Sequence, residues 1–201
     1  ERHKLSVGMG VGDHITAGDV LEVYLTQRLK SALPGDPWNL YGILREINPA
    51  PFAAWLQFPG FQVVSASPER FLRLDADRIA ESRPIKGTRP RHADPHADAL
   101  AANELRDSEK DRAENLMIVD LLRNDLGRSC LAGSIHVDRL FELQTFPTVH
   151  HLVSTIMGEL RSDRQSTDLL RDSFPGGSIT GAPKRRAMEI IAELEPDPRE
   201  V

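Results

Sequence analysis

The sequence contains a single cysteine, Cys130, in 201 residues, which excludes an internal disulfide framework and fits a reducing compartment. It also lacks long hydrophobic runs. The longest ones, such as residues 116–119, are far shorter than the roughly 20 residues that span a bilayer. No signal segment with a charged start and an apolar middle stands at the beginning. We therefore predict a cytoplasmic protein without a membrane partner.

Positive charge is scarcer than negative charge. The chain has 25 Lys and Arg against 30 Asp and Glu, a net charge of -5, and no cluster of Lys and Arg is interleaved with aromatic residues. Nucleic acid is therefore not expected as a partner. The length suits one domain, or most of a larger one, with a substantial core. Because no Met begins the chain and residues 196–201 directly follow a predicted helix, we expect a fragment.

Short runs rich in β-forming residues are bounded by Pro or Gly, which is typical of antiparallel sheets. Their irregular alternation with helical segments predicts an α+β fold rather than a doubly wound parallel sheet. Residues 15–33 are predicted as a strand running into a helical stretch. The other predicted strands are 52–56, 61–67, 69–74, 135–146 and 149–160, and the other predicted helices are 40–47, 93–107, 108–126, 167–173 and 183–195. Residues 175–181 are predicted as a loop, and Pro183 as the first residue of the last helix.

The helix 108–126 is apolar nearly all round, so we predict that it is buried. Ser108 and Asp111 have the spacing of a capping box at its start, and Asn124 and Gly127 are signals for its end.

Residues 84–88 place Lys86 and Thr88 on either side of Gly87. If this stretch is extended, the ammonium and the hydroxyl point to the same face, because side chains alternate along a strand. Gly87 would let another backbone or a ligand approach closely. A lysine presented in this way could be a nucleophile, an anion clamp or an ordinary solvated residue, and the spacing alone leaves these alternatives open.

Glu114 precedes the most apolar stretch of the chain, so we expect it to be half-buried. A buried carboxylate is costly unless it is paired or bound to a metal. Oxygen ligands favour magnesium, whereas no Cys/His spacing for zinc is present. The alternative is a salt bridge to Lys110 or Arg112, or a solvated residue in the first turn of the helix.

His150 and His151 are adjacent in a predicted strand, so one should point inward and the other outward. The inward histidine is either a hydrogen-bonded core residue or a neutral base near pH 7. In the loop at 175–183, Ser178 and Thr180 offer hydroxyl groups before a helix start, where unpaired N–H groups can bind a carboxylate or phosphate. The alternative is that its glycines only form a turn.

Five ordered stretches closely resemble the chorismate-utilising enzymes: SPERF (67–71), PIKGTRPR (84–91), DRAENLMIVDLLRND (111–125), VHHLVS (149–154) and FPGGSITGAPK (174–184). The resemblance begins near residue 15. It implies antiparallel β-sheets packed face to face with helices on the outside, and a partial catalytic domain over residues 1–201. Within the family, Lys86 resembles the aminodeoxychorismate synthases, whereas anthranilate synthases typically carry Ala at this position.

The resemblance also implies roles for single residues. Lys86 would be the nucleophile that adds to C2 of chorismate, and Glu69 the acid that protonates the departing C4 hydroxyl. His151 would lie beside the leaving group, and Glu114 would bind magnesium. The substrate-contacting positions would be Gly87, Thr88 and Ser178.

The implied activity converts chorismate and ammonia, delivered by a glutamine amidotransferase subunit, into 4-amino-4-deoxychorismate for folate and p-aminobenzoate synthesis. Another chorismate enzyme, such as anthranilate synthase, is one alternative, and a non-catalytic paralogue that binds a glutaminase partner is another. Two residues depart from the family pattern, since Glu22 and Tyr24 replace Gln and Asn. We also expect this chain to be inactive alone, because the family's later arginine and second metal-binding glutamate are absent.

Overall fold

The computed structural model describes residues 10–199 as an α+β fold in which every described strand pair is antiparallel, so the predicted fold class is confirmed. The helices are α1 (Val11–Thr16), α2 (Pro37–Ile47), α3 (Pro95–Asp107), α4 (Glu109–Gly127), α5 (Ser166–Ser173), α6 (Gly177–Thr180) and α7 (Lys184–Leu194). The strands are β1 (Glu22–Val23), β2 (Phe52–Phe58), β3 (Phe61–Ser67), β4 (Arg70–Leu74), β5 (Ile79–Arg83), β6 (Ile85–Pro90), β7 (His136–Thr145), β8 (Val149–Glu159) and β9 (Gly181–Ala182).

Strand β8 is the centre of a five-stranded sheet. One of its edges pairs with β7, and the other pairs first with β6 and then with β5, which Pro84 separates. Strand β4 extends the sheet beyond β5. Strands β2 and β3 form a separate hairpin, and β1 pairs with β9. The central strand is buried along nearly its whole length, and helices α3 and α4 pack against it.

Helix α4 packs against β8 and β6 and supplies much of the core. Its start is confirmed, because the Ser108 hydroxyl accepts a hydrogen bond from the Asp111 N–H at 3.2 Å. The prediction that the helix is buried all round is wrong: Ile118 and Val119 are buried, but Leu116 is 52% exposed. The sheet and α5 cover only part of the circumference of the helix, so only one face enters the core.

Most predicted elements are confirmed to within a few residues. Helix α2 begins earlier than predicted, because Asp36 caps it ahead of Pro37, and α3 begins at Pro95 behind a similar cap from Asp94. Pro183 is the residue before α7 and not its first residue, and the predicted loop at 175–181 contains the single turn α6. No helix within residues 10–199 is long and apolar enough to cross a membrane.

The prediction for residues 15–33 is wrong in its second half. The segment contributes the end of α1 and the two-residue strand β1, and residues 24–34 form neither helix nor strand. The spacing of Leu25, Leu29 and Leu33 favours a helix, but all three side chains are exposed. A helix here would therefore gain no stabilisation from packing against the core.

Gly181 allows β1 and β9 to pair. Its φ is +133°, and a Cβ at this position would lie 2.1 Å from the backbone oxygen of Glu22. Hydrogen bonds beyond the two-residue strands extend the pairing, from Leu21 N–H to Ala182 O at 2.8 Å and from Tyr24 N–H to Thr180 O at 3.0 Å.

We expect Gly181→Ala to destabilise the protein much more than Gly133→Ala. Gly133 also has a positive φ, +83°, but has no atom within 4 Å of the added Cβ. Backbone strain alone should cost about 1–2 kcal/mol, and the clash at Gly181 should add about 1–3 kcal/mol. Urea unfolding of both variants measures the difference, and equal losses would show that the β1–β9 contact is not tight.

Candidate active site

Strand β6 presents Lys86 next to a bulge at Gly87. The φ of Gly87 is +91°, and the register with β8 shifts between Ile85 and Thr88. The strand is confirmed, but the regular alternation on which the same-face expectation rests is interrupted here. A Cβ on Gly87 would lie 2.8 Å from Leu105 and 2.9 Å from Asp111, so close packing against α3 and α4 explains this glycine.

The Lys86 ammonium is held by named partners. Its Nζ donates to the Tyr24 hydroxyl at 2.6 Å, lies 3.5 Å from the Ser178 carbonyl oxygen, and stands 4.1 Å from the centre of the Tyr24 ring. The side chain is half-buried. These contacts show that Lys86 is not a freely solvated lysine, and its role as a nucleophile or an anion clamp stays a prediction.

Glu69 lies beside Lys86 at the point where β3 passes into β4. The Ser178 hydroxyl and the Ile85 N–H hydrogen-bond to its carboxylate, and Lys86 acts on it electrostatically. Burial is the largest influence and raises the pKa of Glu69 above its usual range despite these partners. The structure therefore brings together Glu69, Lys86 and Ser178, with a carboxyl group that holds a proton more readily than an exposed one.

Sequence reasoning assigned no function to Tyr24 and Glu22, although both belong to this cluster. The Tyr24 hydroxyl donates to the Glu22 carboxylate while it accepts from Lys86. Burial and then the hydrogen bond to Glu22 raise the pKa of Tyr24, with further contributions from Glu114 and Glu69, so the phenol stays neutral. One signal for these two residues was present in the sequence, since they stand where the family pattern has Gln and Asn.

His151 lies one strand away from Lys86, on β8. Its Nδ1 is 2.8 Å from the Thr88 hydroxyl, its ring meets Phe146 edge-on, and burial lowers its pKa, which favours the neutral ring. It also lines a small cavity of about 40 Å³ together with Pro68, the residue before Glu69.

His150 is buried as well, so the prediction that one histidine of the pair points outward is wrong. Its two ring nitrogens lie 2.9 Å from the Thr145 hydroxyl and 3.0 Å from Asp98 of helix α3. Both faces of the sheet are covered at this point of β8, and each histidine hydrogen-bonds to a polar side chain on its own face.

Glu114 is half-buried on α4, as predicted, with 34% of its side chain exposed. Its carboxylate lies 3.6 Å from the Lys110 ammonium, so the predicted salt bridge is present, whereas Arg112 lies over the Phe141 ring. Residues 10–199 contain no group of three or more His, Cys, Asp or Glu that could hold a metal. Glu114 fits magnesium as a single carboxylate ligand, since this ion keeps several waters and binds anionic substrates.

The loop at 175–183 is organised by packing as well as by polar contacts. A Cβ on Gly177 would lie 2.2 Å from Leu121 of helix α4, so this glycine is required for close packing. The Thr180 hydroxyl donates to the Gly176 carbonyl at 3.0 Å, inside the turn. Ser178, in contrast, directs its hydroxyl to Glu69. Of the two hydroxyl groups predicted here, only Ser178 reaches the cluster around Lys86.

Comparison with known proteins identifies relatives along nearly the whole chain. The family described as chorismate binding enzyme matches residues 10–201. Aminodeoxychorismate synthase from Streptomyces pristinaespiralis is 57% identical over 93% of this chain and 26% of its own length. Aminodeoxychorismate synthase component 1 from Escherichia coli (strain K12) is 52% identical over 94% of this chain and 42% of its own length. The chain therefore spans about a quarter to two fifths of these curated relatives.

A solved structure has the same arrangement of elements. Anthranilate synthase component I from Streptococcus pneumoniae TIGR4 superposes with a TM-score of 0.79 and 36% identity, over 91% of this chain and 40% of that one.

The raised pKa of Glu69 predicts a pH-dependent effect of Glu69→Gln on stability. A carboxyl group whose folded pKa is raised disfavours folding once it ionises, so its contribution falls as the pH rises from about 4.3, the ordinary value, through the raised value. The amide of the variant does not ionise. We expect the melting temperature of the variant, relative to the unsubstituted protein, to increase by roughly 2–4 °C between acidic and neutral pH.

Glu46→Gln is the matched control, because Glu46 is an exposed carboxylate on α2. Its difference from the unsubstituted protein should stay flat over the same pH range. A flat difference for Glu69→Gln would mean that the pKa of Glu69 is not raised.

Proposed function

The chain belongs to the family of chorismate-binding enzymes, and we propose that it is the central part of an aminodeoxychorismate synthase, which converts chorismate and ammonia into 4-amino-4-deoxychorismate. The observation that carries this proposal is that Lys86 contacts the Ser178 carbonyl and acts electrostatically on Glu69, to which the Ser178 hydroxyl hydrogen-bonds. A lysine on a strand, beside a carboxyl group with a raised pKa, fits covalent addition combined with acid catalysis.

The proposed reaction has two displacements. The Lys86 amine bonds to C2 of chorismate, the ring double bond shifts, and the C4 hydroxyl leaves as water with a proton from Glu69. Ammonia then bonds to C4 and returns a proton to Glu69, and the double bond shifts back as the C2–N bond to Lys86 breaks and releases the neutral amine. Hydroxide is a poor leaving group, so the proton from Glu69 is worth about 10²–10⁴ in rate. Burial supports this role, because it keeps the carboxyl group protonated to a higher pH.

His151 and Thr88 are proposed to act beside the leaving group. Their mutual hydrogen bond at 2.8 Å fixes the orientation of the imidazole, and burial favours its neutral form, which can donate a hydrogen bond to the departing hydroxyl. Gly87 and Ser178 are proposed to contact the substrate through this same strand and the α6 turn.

Magnesium is the proposed cofactor, and Glu114 its ligand from this chain. When bound, the ion would neutralise the ring carboxylate of a dianionic substrate. The carboxylate of Glu114 is suited to this role because its described ion pair, with Lys110, is long and largely exposed to solvent.

The remaining parts of the proposal concern the whole protein. A glutamine amidotransferase subunit would supply the ammonia, the product would enter folate and p-aminobenzoate synthesis, and the enzyme would be cytoplasmic. Residues 1–201 would form a partial catalytic domain that needs the remaining length of the family to be active. The Lys at position 86 supports this reading over anthranilate synthase, whose relatives typically carry Ala there.

We expect Lys86→Ala in the full-length protein to reduce formation of 4-amino-4-deoxychorismate below about one thousandth, because the covalent step is lost. Chorismate, ammonia and magnesium are supplied, and products are separated by chromatography. Lys30→Ala, which changes an exposed lysine, is the control and should keep full activity. Product formation at an undiminished rate by Lys86→Ala would refute the lysine nucleophile, and anthranilate as the product would identify the other synthase.

Removal of magnesium with a chelator should abolish turnover, and its return should restore it. Glu114→Ala should raise the magnesium concentration for half-maximal rate at least about tenfold, because one ligand is lost. Lys110→Ala is the matched control: it removes the ion pair but keeps the ligand, so this concentration should not rise. If Glu114→Ala responds to magnesium like the unsubstituted enzyme, Glu114 is not a ligand.

A further inference from the structure

Tyr24 contacts the Lys86 nitrogen in two ways. The phenol oxygen accepts a hydrogen bond from Nζ at 2.6 Å, and the face of the same ring lies 4.1 Å from that nitrogen. A hydrogen bond and a cation–π contact therefore hold the same nitrogen. These two contacts cover the nitrogen, so they mask it from reagents while it lies against the phenol.

Glu22 fixes the phenol in turn. One carboxylate oxygen accepts the Tyr24 hydroxyl proton, which orients the phenol oxygen to accept from Lys86. The other oxygen, Oε2, is buried and has no hydrogen-bond partner within residues 10–199. The carboxylate is therefore committed to Tyr24, and the three side chains form one chain of donors and acceptors.

The backbone around Tyr24 is tied at several points to distant parts of the chain. Its N–H donates to Thr180 O at 3.0 Å, and the Arg199 guanidinium donates to its carbonyl. The pairing of β1 with β9 lies directly beside it. Tyr24 is consequently a fixed support for Lys86, and not a side chain on a free segment.

Other charged groups also face this chain of contacts. Glu69, from the junction of β3 and β4, and Glu114, from α4, both act on the Tyr24 phenol, and burial together with Glu22 keeps it neutral. A neutral phenol can accept the hydrogen bond from Lys86, but it adds no negative charge beside Glu69. Tyr24 is thus suited to hold the lysine and unsuited to act as a base.

We propose that Tyr24 is the positioning residue for Lys86: its ring and hydroxyl, oriented by Glu22, hold and mask the nitrogen beside Glu69. The nitrogen is unmasked when it leaves the phenol oxygen for the substrate. The catalytic consequence rests on the proposed function, whereas the masking itself does not.

Competitive labelling of amines tests the masking without turnover. The full-length protein is treated with a trace of acetic anhydride near neutral pH, and acetylation of each lysine is measured by mass spectrometry, with the exposed Lys30 as the internal standard. Relative to Lys30, Tyr24→Phe should raise Lys86 labelling about fivefold, because the hydrogen bond is lost. Tyr24→Leu should raise it further, since the ring is also removed, and Glu22→Gln should raise it in the same direction.

Tyr41→Phe is the matched control. Tyr41 donates its hydroxyl to the Ala53 carbonyl, away from Lys86, so Lys86 labelling should not change. If Tyr24→Phe and Glu22→Gln both label Lys86 like the unsubstituted protein, the proposal is overturned. If Tyr24→Phe also exposes Lys184, which is buried against Asp125, the fold has opened, and Glu22→Gln, which keeps the ring, decides the question.

Turnover separates this inference from the proposed function. Tyr24→Phe should lower kcat with little change in KM, because substrate contacts remain while the amine is less well placed. If Lys86 labelling responds but Lys86→Ala is still active, masking is supported and the proposed nucleophile fails. If Lys86→Ala is inactive while labelling is insensitive to Tyr24 and Glu22, the proposed function stands and the positioning role fails.

Discussion

The need to satisfy polar side chains on a strand that is buried on both faces constrains the rest of this structure. Strand β8 carries His150, His151 and Ser154 into the interior, where an unpaired polar group costs about 1–3 kcal/mol. Each of them reaches a different element: His150 reaches α3, His151 reaches β6, and Ser154 donates to Asn115 of α4 at 2.5 Å. These hydrogen bonds fix where the helices lie on the sheet, and apolar packing alone would permit more than one arrangement.

The cluster around Lys86 follows a different principle, since it concentrates carboxylates around one ammonium. Glu22 reaches the lysine through a phenol, and Glu69 interacts with it only electrostatically, so two carboxyl groups with different environments lie near Lys86. Burial leaves Glu69 inclined to hold a proton, whereas Glu22 is engaged by a hydroxyl donor. Acid chemistry and positioning can therefore be divided between two residues of the same type.

Local signals allowed most of the fold to be predicted. Ser108 marks the start of α4, and runs bounded by Pro or Gly gave β2, β3, β4, β7 and β8 to within a few residues, whereas β5 was not predicted. The sequence could not show what covers each element. Alternation predicts two faces for His150 and His151 but not that both are buried, and the apolar pattern of α4 does not reveal that Leu116 stays exposed.

The candidate site was less predictable where it depends on distant pairing. Its strand and loop residues were found through ordered motifs, whereas Tyr24 reaches Lys86 only because β1 pairs with β9, near the opposite end of the chain. No local pattern encodes that contact. The reason for a glycine at position 87 was equally hidden from the sequence. Gly87 packs against Leu105 and Asp111, which belong to helices later in the chain.

The pairing of β1 with β9 also makes the integrity of the site depend on peripheral parts of the fold. Short strands and exposed segments open locally at a far smaller free energy than a central strand such as β8. Fraying at either the 22–24 segment or the 195–199 segment, which Arg199 and Glu195 join, would withdraw Tyr24 while leaving the main sheet intact. Chemical reactivity at Lys86 is thus a local property, set by the weakest part of the structure and not by its global stability.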